Sequence, residues 1–210
     1  MTLSIHDQLN PLNEIAKQRV VETFSGDAVD TDRWGAIVQI TGSSGAVAMN
    51  DSVDGGVKVS TGANDEAILA FDDIRQFNHL GCGFVAVTRT TTSNIAQGQN
   101  RTGIKYDNNG TFNAGDLISM ECGYNNSQIS LFTGSASGFE RTTSSLTRDT
   151  SYHSYKGLIS GGSATLTIDG VLECTTSTHL PTQKMQPFIY NASGSVASSA
   201  ETTYLEVFNT

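Results

Sequence analysis

From Val20 onward, apolar and polar residues alternate with a period of two. In "GCGFVAVTRTTT" (81–92), Val85, Val87 and Arg89 fall on one side and Phe84, Ala86 and Thr88 on the other. That is the pattern of a strand with two different faces. Similar short runs follow one another along the chain: "RWGAIVQITG", "GGVKVST", "EAILAFDD", "DLISMECGY", "SQISLFTG", "SYHSYKGLIS", "SATLTIDG", "VLECTTS", "PFIYNAS" and "TTYLEVFN". Turn residues separate them at roughly the 8–12 residue spacing of sandwiches and barrels. Asn108-Asn109-Gly110, Gly161-Gly162 and Asp169-Gly170 are hairpin signals, because Asn, Asp and Gly accept positive φ. Gly62-Ala63-Asn64 predicts a pair between "GGVKVST" and "EAILAFDD". The expectation is one all-β domain over residues 20–210, with no repeat and no linker. Trp34, Phe84, Val85, Val87, Leu166, Ile168, Phe188 and Leu205 are its predicted core.

Residues 1–19 read differently. Asn10 can cap free N–H groups and Pro11 suits the first helical position. Leu12, Ile15, Ala16 and Arg19 follow at helical spacing. A helix this short is marginal alone and needs a surface. Leu9, Leu12, Ile15 and Val20 are therefore expected to attach an N-terminal arm to a partner or to another copy of the chain; the alternative is a plug for this domain's own end.

Composition narrows the partners. Charged residues make up 16% of the chain and the formal net charge is −9. An acidic surface without a basic stripe argues against nucleic acid and against anionic membranes. "MTLSIHDQLNPLNEIAKQR" lacks a basic start and an apolar run, so no export signal peptide is expected. Cys82, Cys122 and Cys174 are odd in number and far apart, unlike a disulfide framework or a zinc site. The Asn-x-Ser/Thr matches at Asn50, Asn100, Asn109, Asn125 and Asn191 read as turn residues rather than glycan acceptors.

Two stretches carry a family resemblance. "ETFSGDAVDTDRW" looks like an entry strand, and "YKGLISGGSATLTIDGVLECTTSTHLPTQKMQPFIYNASGS…TTYLEVFN" looks like a strand, an Asp-Gly hairpin, a Pro-bearing link and closing strands. Together they resemble the concanavalin A-like lectin/glucanase superfamily. The resemblance implies an antiparallel two-sheet jelly roll, in which Pro181 and Pro187 stiffen the crossing between sheets. Pro187 has no ladder N–H and belongs at the start or edge of its strand. The Thr/Ser-rich, cysteine-poor character is similar to jelly-roll modules of tailed-phage structural proteins.

Chemistry is sparse. The hydrolytic members carry a Glu-x-Asp-x-x-Glu type run whose carboxylates share a strand face. This chain has no such run; Asp65-Glu66 and Asp72-Asp73 are adjacent residues that point to opposite faces, and Glu121 is isolated. "GSASG" has Ala136 where a nucleophile elbow needs serine. The four histidines lack metal-ligand spacing. No cofactor is expected except calcium, which Asp27, Asp30 and Asp32 could bind, since many superfamily members hold it and Ca²⁺ takes 6–8 oxygens. Those Asp residues also start turns without an ion. A glycan ligand would use Arg89, Tyr106, Glu121, Tyr124 and Tyr155.

These readings point to a non-enzymatic virion module, a phage capsid decoration or fibre-associated protein. It would be assembled in the host cytoplasm and attached through its arm to virion or self subunits. The first alternative is a carbohydrate-binding, lectin-like module for a cell-surface glycan. The second is a glycoside hydrolase of the same superfamily.

Overall fold

The computed structural model describes residues 18–26, 28–31, 33–35, 38–50, 55–71, 77–92, 98–106, 115–123 and 126–210. Among them are fifteen strands: β1 (Arg19–Glu22), β2 (Val38–Thr41), β3 (Ala46–Met49), β4 (Val57–Thr61), β5 (Glu66–Ala70), β6 (Cys82–Thr90), β7 (Gly98–Lys105) and β8 (Leu117–Cys122). The second half contributes β9 (Gln128–Ser135), β10 (Gly138–Thr147), β11 (His153–Ser160), β12 (Ser163–Ile168), β13 (Val171–Thr176), β14 (Gln186–Ser193) and β15 (Ser198–Asn209). Two antiparallel sheets form the expected jelly-roll sandwich. One has eight strands in the order β13-β12-β11-β6-β15-β4-β3, with β1 also paired to β15; the other has seven, β10-β9-β8-β7-β14-β5-β2.

Alternation decides which side chains fill the space between the sheets. β4 buries Val57 and Val59, β12 buries Ala164, Leu166 and Ile168, and β8 sends Ile118, Met120 and Cys122 inward. Trp34 packs between Phe24 and the edge of Phe71, with centroids 5.6 and 4.9 Å away. Its 1% exposure identifies it as core. All three cysteines are free and buried, and burial pushes the Cys82 thiol up to about 12. Gly157 is required by contact: a Cβ there would run into the Phe84 ring.

Two of the expected hairpins lie where the turn residues place them, and Asn108-Asn109-Gly110 lies outside the described residues. Asp169 (φ 49) and Gly170 (φ 85) join β12 to β13, and Gly161 with Gly162 joins β11 to β12. Their consecutive positive φ values suit the right-handed twist of the flanking strands. The link with Pro181 crosses from β13 in one sheet to β14 in the other, and Pro187 is the second residue of β14.

Three expectations are corrected. β4 and β5 do not pair, because the Gly62–Asn64 turn carries the chain from one sheet to the other. Asn64 (φ 61) donates its N–H to the Gly194 carbonyl, tying this turn to the β14–β15 crossing instead. Val85 and Val87 are half-buried on the outer side of β6, while Phe84 and Ala86 take the core side. Phe188 is fully buried, but in a second cluster with Ile68, Ala70 and Tyr190. On β14 it is Ile189 that enters the inter-sheet core, so Phe188 lies on the outer face. The helix expected over residues 11–19 falls largely outside the described residues; Arg19 already belongs to β1.

Candidate functional site

The outer face of the seven-stranded sheet brings distant charges together. Ile104, Ile118, Met120 and Leu131 point into the core, so Arg101, Glu121 and Phe132 point the other way. Register sets them side by side: Arg101 is opposite Glu121, Ser119 opposite Phe132, and Phe132 opposite Arg141. Glu121 is fully buried and gathers four donors. Arg141 Nε and Nη2 donate to its two carboxylate oxygens at 3.0 and 2.7 Å. Gln99 Nε2 donates at 2.5 Å and Arg101 Nη2 at 3.4 Å. Burial alone would raise the Glu121 pKa; Arg101, Arg141 and Gln99 outweigh it and hold the carboxyl below its ordinary range.

Phe132 is the aromatic hub of this face. The Arg101 guanidinium lies 4.0 Å from its ring centroid and that of Arg141 5.6 Å. Phe139, on edge strand β10, stacks on Phe132 at 5.4 Å and 20° between planes. Burial falls off sharply toward that edge. Arg101, Glu121 and Phe132 are at most 1% exposed, whereas Phe139 is 45% exposed. The Arg141 side chain keeps 34% of its surface in solvent, and Thr143, two residues further along the same strand face, is exposed. The result is an open rim of one aromatic, one guanidinium and one hydroxyl, fastened to a buried ionic cluster.

The residues expected to bind a glycan do not form one site. Glu121 belongs to the cluster above, but Arg89 lies on the other sheet. There it donates to Glu201 from Nε and Nη2 at 2.8 and 2.6 Å and covers the Tyr152 ring at 4.6 Å. Tyr155 is 1% exposed and part of the inter-sheet core, which corrects its assignment as a ligand contact: its β11 position faces inward. Tyr106 follows β7, half-buried, with its N–H donating to the Asp116 carbonyl. Tyr124 lies outside the described residues.

Val20 pairs with Val207 in β1 and packs against the main core. This corrects its placement in an attachment arm; Leu9, Leu12 and Ile15 are outside the described residues. Of the calcium set, Asp27 and Asp32 are also outside them. Asp30 is exposed, and its carbonyl accepts the Arg33 and Trp34 N–H groups, as a turn residue does. It borders a cavity of about 220 Å³ beside Trp34, Phe24 and Met49. No cluster of three or more metal-ligating side chains occurs among the described residues.

Sequence reasoning missed Arg101, Gln99, Phe132, Phe139 and Arg141. The available signal was parity: in "LISMEC" the core takes Ile118, Met120 and Cys122, which leaves Leu117, Ser119 and Glu121 on the opposite face.

No family model matches the chain, and no curated protein does. Solved structures do. A Bacillus licheniformis β-glucanase is similar over 91% of this chain and 98% of its own, with a TM-score of 0.63 at 16% identity. A prokaryotic β-1,3-1,4-glucanase (lichenase) from a mouse hindgut metagenome covers 91% and 99%, with a TM-score of 0.64 at 12% identity. The carbohydrate recognition domain of Emp46p, in its potassium-bound form, covers 89% and 94%, with a TM-score of 0.62 at 8% identity. At these identities the likeness establishes the fold alone, a two-sheet antiparallel jelly roll. It also overturns the reading as a non-enzymatic virion module. Glycoside hydrolases and carbohydrate recognition domains are among the structures that share this architecture.

Proposed function

We propose that the protein acts on carbohydrate, engaging a polysaccharide along the open rim of its seven-stranded sheet. The observation that carries this reading is Phe139, an exposed aromatic held flat on buried Phe132 beside an Arg141 that Glu121 orients. Sugar rings present C–H faces to an aromatic platform, and their hydroxyls accept hydrogen bonds from a guanidinium. The glucanases and recognition domains that share the fold support the same class of ligand. Titration calorimetry against a panel of neutral and acidic polysaccharides tests it. Phe139→Ala should weaken the affinity about tenfold, the equivalent of 1.4 kcal/mol. Failure of every polysaccharide to bind, or unchanged binding by this variant, would remove the proposal.

Hydrolysis is the second reading, favoured by the position of Glu121 on an interior strand of the sheet in a fold shared with endo-glucanases. With its pKa held low, Glu121 would be the ionised member of a catalytic pair, the nucleophile or the base. A second, protonated carboxyl would have to stand about 5–5.5 Å away for retention, or about 6.5–9.5 Å away for inversion. Its neighbours on the same face of β8 are Leu117 and Ser119, so that group must come from another strand or loop. Reducing ends released from lichenan or laminarin, and abolished in a folded Glu121→Gln protein, would establish this chemistry. Release that persists in the variant would exclude Glu121 from it.

A further inference from the structure

We infer that Arg148 is a positioning residue for the rim. From behind the seven-stranded sheet it holds the strand ends that carry Gln99 and Glu121, and through them the bracket that orients Arg141. This rests on the proposed carbohydrate role and extends it to a residue that no ligand touches. Arg148 directly follows β10 and is 4% exposed. Its Nε donates to the Thr92 carbonyl at 3.1 Å and its Nη2 to Thr90 Oγ1 at 3.2 Å. Its Nη1 donates to the Gly98 and Gly123 carbonyls at 2.7 and 3.4 Å. All four acceptors are neutral, and no carboxylate among the described residues pairs with this guanidinium. Burying a cation without a counter-charge works against stability, so packing alone does not account for it.

Its place in the fold does. Thr90 shares the core side of β6 with Phe84 and Ala86, so the guanidinium lies between the sheets, on the opposite side of β8 from Glu121. Gly98 begins β7 and Gly123 directly follows β8. Asn100 is opposite Cys122 and Arg101 opposite Glu121; continuing that register sets Gln99 opposite Gly123. Arg148 Nη1 therefore grips both strands where their ladder ends. On the outer side of the same rung, Gln99 Nε2 donates to Glu121 Oε1 at 2.5 Å. The Arg148 N–H donates to the Ser127 carbonyl at 2.8 Å, which ties the approach to β9 into the same corner. Gly123 leaves the carboxylate its space: a Cβ there would stand 3.1 Å from Glu121 Oε1. A shift of either strand end moves Gln99 against Glu121 and turns the carboxylate that accepts from Arg141 Nε and Nη2.

The test begins on the full chain without a ligand. NMR follows the Glu121 carboxyl carbon through an acid titration and the Gln99 side-chain amide at neutral pH. Arg148→Lys keeps the charge but not the planar fork, so it separates position from electrostatics. It should raise the Glu121 midpoint toward the ordinary value of about 4.3 and displace the Gln99 amide signals. Arg148→Met should do both to a greater extent; if it does not fold, the Lys variant decides. Gly123→Ala should move the same two signals by crowding. Thr88→Val removes the buried Thr88–Thr202 hydrogen bond of the other sheet; it should lower the thermal midpoint and leave both signals in place. For laminarin or lichenan, whichever the wild type binds, the Arg148 variants should lose about tenfold in affinity, as for one charge-assisted hydrogen bond, and Thr88→Val should lose none. A Lys variant with wild-type signals, signals moved equally by Thr88→Val, or an affinity that both Arg148 variants leave unchanged would overturn the inference. If the signals move as expected but neither glucan binds the wild type, the carbohydrate role loses support while the positioning of Glu121 by Arg148 stands.

Discussion

Each sheet carries, on its outer face, one carboxylate between two cations, and the two arrangements differ in depth. On the eight-stranded sheet, Glu201 pairs with Arg89 at 2.6 Å and Lys58 at 3.6 Å, and accepts a hydrogen bond from the Tyr152 hydroxyl at 3.2 Å. Its partners are 37% and 42% exposed. On the seven-stranded sheet, Glu121 is 0% exposed and its partners are 1% and 34% exposed. Exposed pairs are screened by water and contribute little, about 0–1 kcal/mol. Buried pairs carry a desolvation penalty that mutual attraction can fail to repay. Glu201 is itself only 6% exposed, but both of its cations reach solvent, so its group is the shallower of the two. The Glu121 group holds charge where folding alone gives little return, and that supports the proposed role of this face.

The largest predicted effect breaks the buried cluster. Glu121→Ala leaves two guanidiniums facing each other around a dry gap, and should destabilise the fold by about 3–5 kcal/mol in urea unfolding. Glu201→Ala should cost about 1 kcal/mol or less. Equal losses at the two sites would erase the distinction between them. Replacing Glu121 and Arg101 together with Leu and Met should recover most of the stability lost by Glu121→Ala, since apolar substitutes of similar volume avoid the desolvation penalty. Carbohydrate binding should nonetheless fall, because Arg141 loses its bracket.

Acid sharpens the same contrast. The pKa of Glu121 is lowered in the fold, so its contribution is present above the ordinary carboxylate range, about pH 4.3. That contribution is lost as pH falls through the folded value. Thermal midpoints of wild type and Glu121→Gln should therefore converge as the solution is acidified. A constant gap down to pH 2 would mean that the carboxylate is not held ionised.

A smaller effect with the opposite pH sense is expected at His153. Its Nδ1 lies 2.6 Å from Asp169 and its Nε2 3.1 Å from Asp149, fastening the β12–β13 hairpin to the turn before β11. Burial would lower the imidazole pKa, but the two carboxylates outweigh it and raise it. The stabilisation is full below the ordinary histidine value of about 6.5 and is lost as pH rises through the folded value. His153→Gln should flatten the decline in thermal midpoint over that window. An identical slope in the variant would show that the contacts carry no linked proton.

The local signals read well from sequence because each is contained in a few neighbouring residues. Asp169-Gly170, Gly161-Gly162 and the alternation of Phe84, Ala86 and Thr88 need no knowledge of the rest of the chain. Sheet membership does need it. A turn such as Gly62–Asn64 looks like a hairpin until the Gly194 carbonyl, 130 residues later, pulls it toward the other sheet. Phe188 was misplaced because an apolar strand residue can be buried on either face, and β14 is buried on both. The site was illegible for a related reason. Glu121 seems isolated in the chain, with Arg101 and Arg141 each 20 residues away; only the β7–β8–β9–β10 register makes them neighbours. Counting catalytic motifs along one strand could not find a cluster built across four.

The two faces can be separated in a single experiment. Backbone and side-chain NMR spectra of the full chain, recorded with increasing amounts of a soluble polysaccharide identified by calorimetry, report which face the ligand touches. The predicted result is a set of shift changes centred on Phe139, Arg141, Thr143 and Phe132, with Lys58, Arg89, Tyr152 and Glu201 unmoved. Changes confined to the Glu201 network, with the rim signals unaltered at saturation, would contradict the assignment of the seven-stranded sheet as the carbohydrate face.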